Sequence, residues 1–250
     1  MVNLLGLAYS PWTEKARWAL DARSIPYRFR FYQPLVGEAE LRWRLRRLTG
    51  AVSVPVLATD DGRWLADSAV IARWADERGE GPRLFPAEHE AAITRIVEVS
   101  ERAMSAGRVL SLARVLDDGE ALAEMVPRKL RRALGPVAVR LASAGVKRTV
   151  RKYGGGRKNL DQHRADLGAA LDELRSALAK APTLFDRFSF ADIAMAQALA
   201  FVRPPSTGLK LGEASRRSFC DPQLSERNAD LLDWRDELYR SHRGTAPLRA

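Results

Sequence analysis

The side chains of this 250-residue chain that could do chemistry together lie within its first seventy residues. Tyr9-Ser10-Pro11-Trp12 places a hydroxyl just ahead of a proline, where a short apolar run gives way to an amphipathic one. A serine there can cap a helix. It can equally present its hydroxyl to an anion, beside unpaired amides and the positive end of the helix dipole, and a thiolate is one such anion. Asp67-Ser68 repeats the arrangement at a second junction, where the same physics would hold a carboxylate or, more simply, start a helix. Val54-Pro55 lies between them. Proline there either opens a strand or adopts the cis form, which costs only about 0.5–1 kcal/mol for an X-Pro bond. Elsewhere the chain offers less. Cys220 is the sole cysteine, so no intramolecular disulfide can form. His89, His163 and His242 are far apart and share no ligand spacing with Cys220, so no metal site is expected.

The elements that must position these residues follow from pattern. Residues 3–8 read as a short buried strand, and Ser10-Pro11 opens a helix with Ala16, Ala19 and Leu20 on its apolar stripe. Ser24-Ile25-Pro26 stops it. Residues 27–31 alternate aromatic and basic, as in a half-buried strand, and residues 38–48 form an arginine-rich helix. Residues 54–59 and 64–66 flank Asp60-Asp61-Gly62-Arg63, a hairpin signal. Asp67 or Ser68 then starts a helix with Val70, Ile71, Trp74 and Ala75 on one side. A Gly-Pro linker over residues 80–87 separates domain 1–79 from domain 88–250. The second domain carries no strand pattern. A helix over 88–106 turns Ile93, Ile96, Val97 and Met104 inward. A long basic helical region over 120–152 breaks near Gly135-Pro136 and ends at Gly154-Gly155-Gly156. Leucines from 160 to 178 are at helical spacing, and Ser189-Phe190-Ala191-Asp192 is a capping box for a helix that Pro204-Pro205 ends. Residues 206–221 read as loop, followed by a last helix with Leu231, Leu232, Trp234 and Leu238.

The net charge of +10 is uneven: residues 102–158 hold fourteen Lys and Arg against four Asp and Glu, and the remainder sums to zero. Such a segment is either a solvated helical face or a surface for an anionic partner, whether lipid, nucleic acid or acidic ligand. No run reaches eighteen apolar residues, and the N-terminus lacks the basic region of a signal peptide. A cytoplasmic protein is expected.

The βαβαββα order, Ser10-Pro11 at the first strand–helix turn, Val54-Pro55 before the third strand and Asp67-Ser68 opening the third helix resemble the glutathione S-transferase family. The Ser189-x-x-Asp192 cap resembles that family's C-terminal domain. The fit of Ser10-Pro11-Trp12-x-x-Lys15-Ala16-Arg17 is closest to soluble bacterial members and to serine- or cysteine-using classes. The resemblance implies an α+β fold, a thioredoxin-like N-terminal domain followed by an all-α domain. It implies a detoxifying transferase with glutathione as co-substrate and no metal, which activates the thiol for attack on a small hydrophobic electrophile, and a homodimer. It assigns the sulfur to Ser10, the cysteinyl backbone to Val54 before a cis Pro55, and the γ-glutamyl end to Asp67 and Ser68. Trp12 and Arg108 would line the electrophile pocket, with Arg102 and Arg114 as further cations. Tyr9 is then a packing residue, and Asp192 stabilises its helix start. Cysteine is missing from positions 10 and 13, which disfavours glutaredoxin-like chemistry. The loop before Val54 lacks the family's usual Asn-Pro, leaving Arg44, Arg46 or Arg47 for the glycyl carboxylate. Two alternatives stay open. One is a non-catalytic module using its basic segment 102–158 on an anionic surface, with nucleic acid not the expected partner. The other is a glutathione-dependent isomerase or lyase.

Overall fold

The structure, a computed structural model, describes residues 1–33, 37–47, 49–126, 128–152, 159–178 and 181–243. Its N-terminal part runs β1 (Val2–Gly6), α1 (Pro11–Ala22), β2 (Tyr27–Phe31), α2 (Gly37–Arg44), β3 (Val56–Ala58), β4 (Trp64–Ala66) and α3 (Ser68–Arg78). The strands form one sheet in the order β2-β1-β3-β4, with β1 and β2 parallel and the other two pairings antiparallel. This is the expected thioredoxin-like arrangement. Leu5 is opposite Val56, and Val56 is opposite Ala66. The chain therefore leaves β1 for α1, enters β3 from Val54-Pro55, and leaves β4 for α3 at one end of the sheet. Three separate sequence signals meet there because of that register.

Helices α1 and α3 cover one face. Ala16 and Leu20 join Ile71, Trp74 and Ala75 over Leu4, Phe29 and Leu57. Val70 does not join them and is 46% exposed. The buried side of α3 is centred on Ser68, Ile71, Ala72, Ala75 and Asp76, which turns Val70 to the far side. Beyond α3, buried Arg23 fastens the linker. Its guanidinium donates to the carbonyls of Gly79 (2.6 Å), Gly81, Pro82 (2.7 Å) and Asp76 (3.2 Å). The Asp76 carboxylate takes the Leu84 amide at 2.6 Å.

Among the described residues no strand follows Ala66. Helix α4 (Glu90–Asp117) has 28 residues and runs well past the expected end at 106. It packs against α8 (Leu160–Leu178) and α9 (Phe190–Ala198). Gly107 permits this, since a Cβ there would collide with that of Phe201. Next come α5 (Gly119–Glu124), α6 (Arg128–Leu134) and α7 (Pro136–Lys152), the last two separated at Gly135 where the Gly-Pro pair predicts a break. The glycine run at 154–156 lies outside the described residues. Helix α9 is buried throughout. The expected loop 206–221 contains helix α10 (Glu213–Phe219). Its first amides, Ala214 and Ser215, donate to the Glu124 carboxylate of α5 at 3.0 and 2.8 Å. A cap supplied from so far along the chain leaves no local signal. Helices α11 (Pro222–Arg227) and α12 (Ala229–Leu238) and a turn over Tyr239–Arg243 are the last described elements.

Candidate functional site

Ser10 stands at the N-cap position of α1 on a turn held from several directions. Its amide donates to the Leu7 carbonyl (2.9 Å), the Leu7 amide donates to Thr13 Oγ1 (3.2 Å), and the Lys210 amide donates to the Ala8 carbonyl (2.9 Å). The buried Thr13 hydroxyl is thus committed to the backbone. The Ser10 hydroxyl is not, for it makes no capping hydrogen bond. Ser10 thus occupies the cap position without its side chain capping the helix. Pro11 has no amide hydrogen, so the Trp12 and Thr13 amides form the first turn's donor edge. Next to it, burial raises the Tyr9 phenol above its usual pKa and keeps it neutral.

At the second junction the two candidates divide the work. Asp67 caps α3, its Oδ1 accepting the amides of Ala69 (2.7 Å) and Val70 (3.4 Å). Its φ of 83° lies in a region that costs a non-glycine residue about 1–3 kcal/mol. Ser68 is 1% exposed, and its hydroxyl has no hydrogen-bond partner. Buried polar groups are nearly always paired, so a lone hydroxyl at a helix N-terminus stands out. The Val54-Pro55 bond is cis, and Pro55 is buried.

The first turn of α1 is anchored to the helical half through Glu101 of α4. One Glu101 oxygen accepts the Trp12 indole N–H at 2.7 Å, and the other pairs with the ammonium of fully buried Lys15. The Trp12 ring meets Phe201 edge-on at 5.7 Å, and the Arg108 guanidinium lies 4.6 Å from its centroid. Trp12 and Arg108 are therefore together, as expected. Arg114 is elsewhere, donating to the Ser218 carbonyl (2.8 Å) and Asp221 (3.2 Å), and Arg102 is exposed. Sequence reasoning missed Lys15 and Glu101. The available signal was the seven-residue spacing of Glu101 and Arg108, which shares one helix face.

Further along α1, buried Glu14 accepts from Arg17 (2.6 Å) and Arg243 Nε (2.7 Å), and Arg17 also donates to the Gly208 carbonyl (3.0 Å). Arg243 reaches Asp21 at 2.7 Å. Desolvation works against the Arg243 charge, yet Glu14 and Asp21 together raise its pKa. This cluster ties α1 to the end of the described chain. Asp192 accepts from the Ser189 amide and hydroxyl (2.9 Å each) and the Leu184 amide (2.8 Å), the local helix-start role the sequence implied. Of the three arginines after β2, Arg44 stacks on Trp43 and Trp64 at 4.8 and 5.1 Å and borders a cavity of about 240 Å³ with Phe31, Tyr32 and Leu41. Arg46 and Arg47 are exposed.

Comparison with known proteins agrees with this layout. Residues 9–78 match the family model for the glutathione S-transferase N-terminal domain, and residues 157–239 match that for its C-terminal domain. A protein of Solanum tuberosum named probable glutathione S-transferase is 32% identical over 95 residues, which are 38% of this chain and 42% of that one. The match thus spans about two fifths of the length of the curated relatives. A glutathione S-transferase structure from Methylobacillus flagellatus with glutathione bound has a TM-score of 0.65 at 17% identity, covering 99% of this chain and 100% of that chain. A glutathione transferase family member from Pseudomonas fluorescens, also with bound glutathione, has a TM-score of 0.64 at 20% identity, with 99% of each chain covered. The two domain models together account for more than half of the sequence, one on each side of the linker, and this chain belongs to the glutathione S-transferase family.

Proposed function

We propose that the chain is a glutathione-dependent transferase whose Ser10 hydroxyl donates a hydrogen bond to the glutathione sulfur. One observation carries this reading. Two serines, each at a helix N-terminus on the same end of the sheet, hold hydroxyls that neither helix uses. Ser10, the Trp12 and Thr13 amides and the positive end of α1 stabilise a thiolate, lowering the thiol pKa without a general base. The Val54 backbone pairs with the cysteinyl backbone. Ser68 and the first amides of α3 hold the γ-glutamyl carboxylate, and the second carboxylate oxygen of Asp67 serves the ammonium. The thiolate attacks an electrophilic carbon, the sulfur–carbon bond forms, and the leaving group departs with its electron pair. Trp12 supplies an apolar wall for the electrophile. Arg108, held on that ring, favours acceptors that develop negative charge. The same reading carries a homodimer, which sedimentation equilibrium tests.

The decisive experiment joins retention on immobilised glutathione to a conjugation assay with an activated aryl halide. Ser10→Ala is expected to lower kcat by about 10- to 100-fold, the worth of a hydrogen bond to a charged group. The KM for glutathione should stay close to wild type, and the ultraviolet thiolate band of bound glutathione should titrate at higher pH. A wild type that neither retains glutathione nor slows on this change overturns the proposal.

A further inference from the structure

Past Glu124 the basic segment takes no part in the site just described, and its described helices have an unusual surface. Between residues 125 and 160 there are eleven Lys and Arg and no Asp or Glu. Within that stretch α6 and α7 follow one another across Gly135, and α7 packs against α4 and α5. The inward side of α7 is apolar, with Ala138 and Val146 buried and Val139 and Val150 packed on the core. The outward side carries Arg140, Lys147, Arg148 and Arg151, all exposed. Four aliphatic residues face water with them. Leu130 and Leu134 lie one turn apart on α6, Val137 and Leu141 one turn apart on α7, and all four are 40–55% exposed. Arg131 and Arg132 stand exposed between the two leucines.

We propose that this α6–α7 pair docks the protein on an anionic lipid surface. Charge complementarity and the four aliphatics argue for it together. A bilayer interface accepts both kinds of group at once, aliphatic side chains at the acyl boundary and arginines among lipid phosphates, with their stems lying along the apolar layer. Nucleic acid would answer the arginines and leave the aliphatics in water. A second copy of this chain would set one uncompensated basic face against another. No helix among the described residues is long and apolar enough to cross a membrane, so the contact is peripheral.

Full-length protein is sedimented with vesicles of phosphatidylcholine alone and of phosphatidylcholine mixed with phosphatidylglycerol. Binding to the mixed vesicles only, weakening as salt is raised, is expected. Replacing Arg131, Arg132, Arg140 and Arg148 with Gln should cost about fivefold per side chain, on the order of a hundredfold or more in all. Replacing Leu130, Leu134, Val137 and Leu141 with Ser should remove the fraction that survives high salt and leave the low-salt fraction. Both variants should unfold at the wild-type temperature and keep glutathione retention. Failure to bind the mixed vesicles, or equal binding to both kinds, overturns the proposal. So does duplex DNA binding as tightly with the serine variant indifferent, which would make the face a nucleic-acid site. Self-association in the absence of vesicles, lost in the serine variant, would make it an interface between copies.

Discussion

Arginine is used in opposite ways in two regions of this molecule. Arg17 and Arg243 at the seam between the halves, Arg23 beside the linker and Arg235 within the helical half are buried, and each is answered by carboxylates or carbonyls. On α6 and α7, Arg131, Arg132, Arg140, Arg148 and Arg151 are exposed, without a carboxylate in their stretch of sequence, and they stand among exposed aliphatics. Net charge does not separate these uses, since a guanidinium counts the same in either place. The number and kind of partners do. A buried cation answered from within the chain holds the fold together, whereas an exposed one among unburied leucines is available to something outside the chain.

The largest effect expected breaks the seam. Glu14→Ala leaves Arg17 and Arg243 buried beside each other without their shared carboxylate. Removing one partner of such a buried set costs about 3–5 kcal/mol. The urea midpoint should fall accordingly, while Arg140→Gln on α7 should move stability by no more than about 0.5 kcal/mol. Similar shifts for the two would mean the regions do not differ as described.

Next comes packing. Gly107→Ala drives a methyl group into Phe201, and overpacking of this kind costs about 1–3 kcal/mol. Gly145, also in a helix but on the exposed side of α7, has nothing within 4 Å of an added Cβ. There the same substitution should stabilise by about 0.5–1 kcal/mol through helix propensity. Thermal unfolding of the two variants reads the opposite signs directly.

Ser68→Ala separates fold from function within the site. It removes a buried hydroxyl that the fold leaves unpaired, so stability should hold or rise slightly. Glutathione affinity, measured by calorimetry, should fall about tenfold with the lost hydrogen bond. Loss of stability with unchanged affinity would assign Ser68 to the fold.

What could be read from the sequence divides along similar lines. Ser10-Pro11, Val54-Pro55, Asp-Asp-Gly and Asp67-Ser68 mark chain turns, and turn chemistry is local, so the sheet's elements and the serines at their ends were legible. Register was not, and register is what brings three junctions to one end of the sheet. The Lys15–Glu101–Trp12 linkage joins residues from two domains, and Glu124 caps α10 across the fold. The spacing of Glu101 and Arg108 marks a helix face but not its partners, and the Glu124 cap leaves no local trace. Arg114 was misplaced for the same reason: its helix was visible, but the carbonyl of Ser218 and the carboxylate of Asp221 that hold it were not. Val70 failed through geometry, since of the four residues read as one stripe of α3 only Ile71, Trp74 and Ala75 face the core.

The smallest effect tests the contrast on carboxylates. Asp118 and Asp192 both serve helix starts, one at the root of the basic region and one in the core. Asp118 is half-buried, and the amides of Ala121 and Glu120 that it accepts lower its pKa below the ordinary 3.8. Burial raises that of Asp192 above 3.8, against the opposing amide of Leu184 and the hydroxyl and amide of Ser189. The linkage signs are therefore opposite. The contribution of Asp118 is present above pH 3.8 and is lost as pH falls through its depressed folded value. The contribution tied to protonation of Asp192 is full below pH 3.8 and is lost as pH rises through its elevated folded value. Urea unfolding followed from acid to neutral pH should show the cost of Asp118→Ala growing with pH and the cost of Asp192→Asn shrinking. Parallel slopes would show that the core carboxylate is carried as a charge, like the arginines of the seam, and would extend that region's rule to its acids.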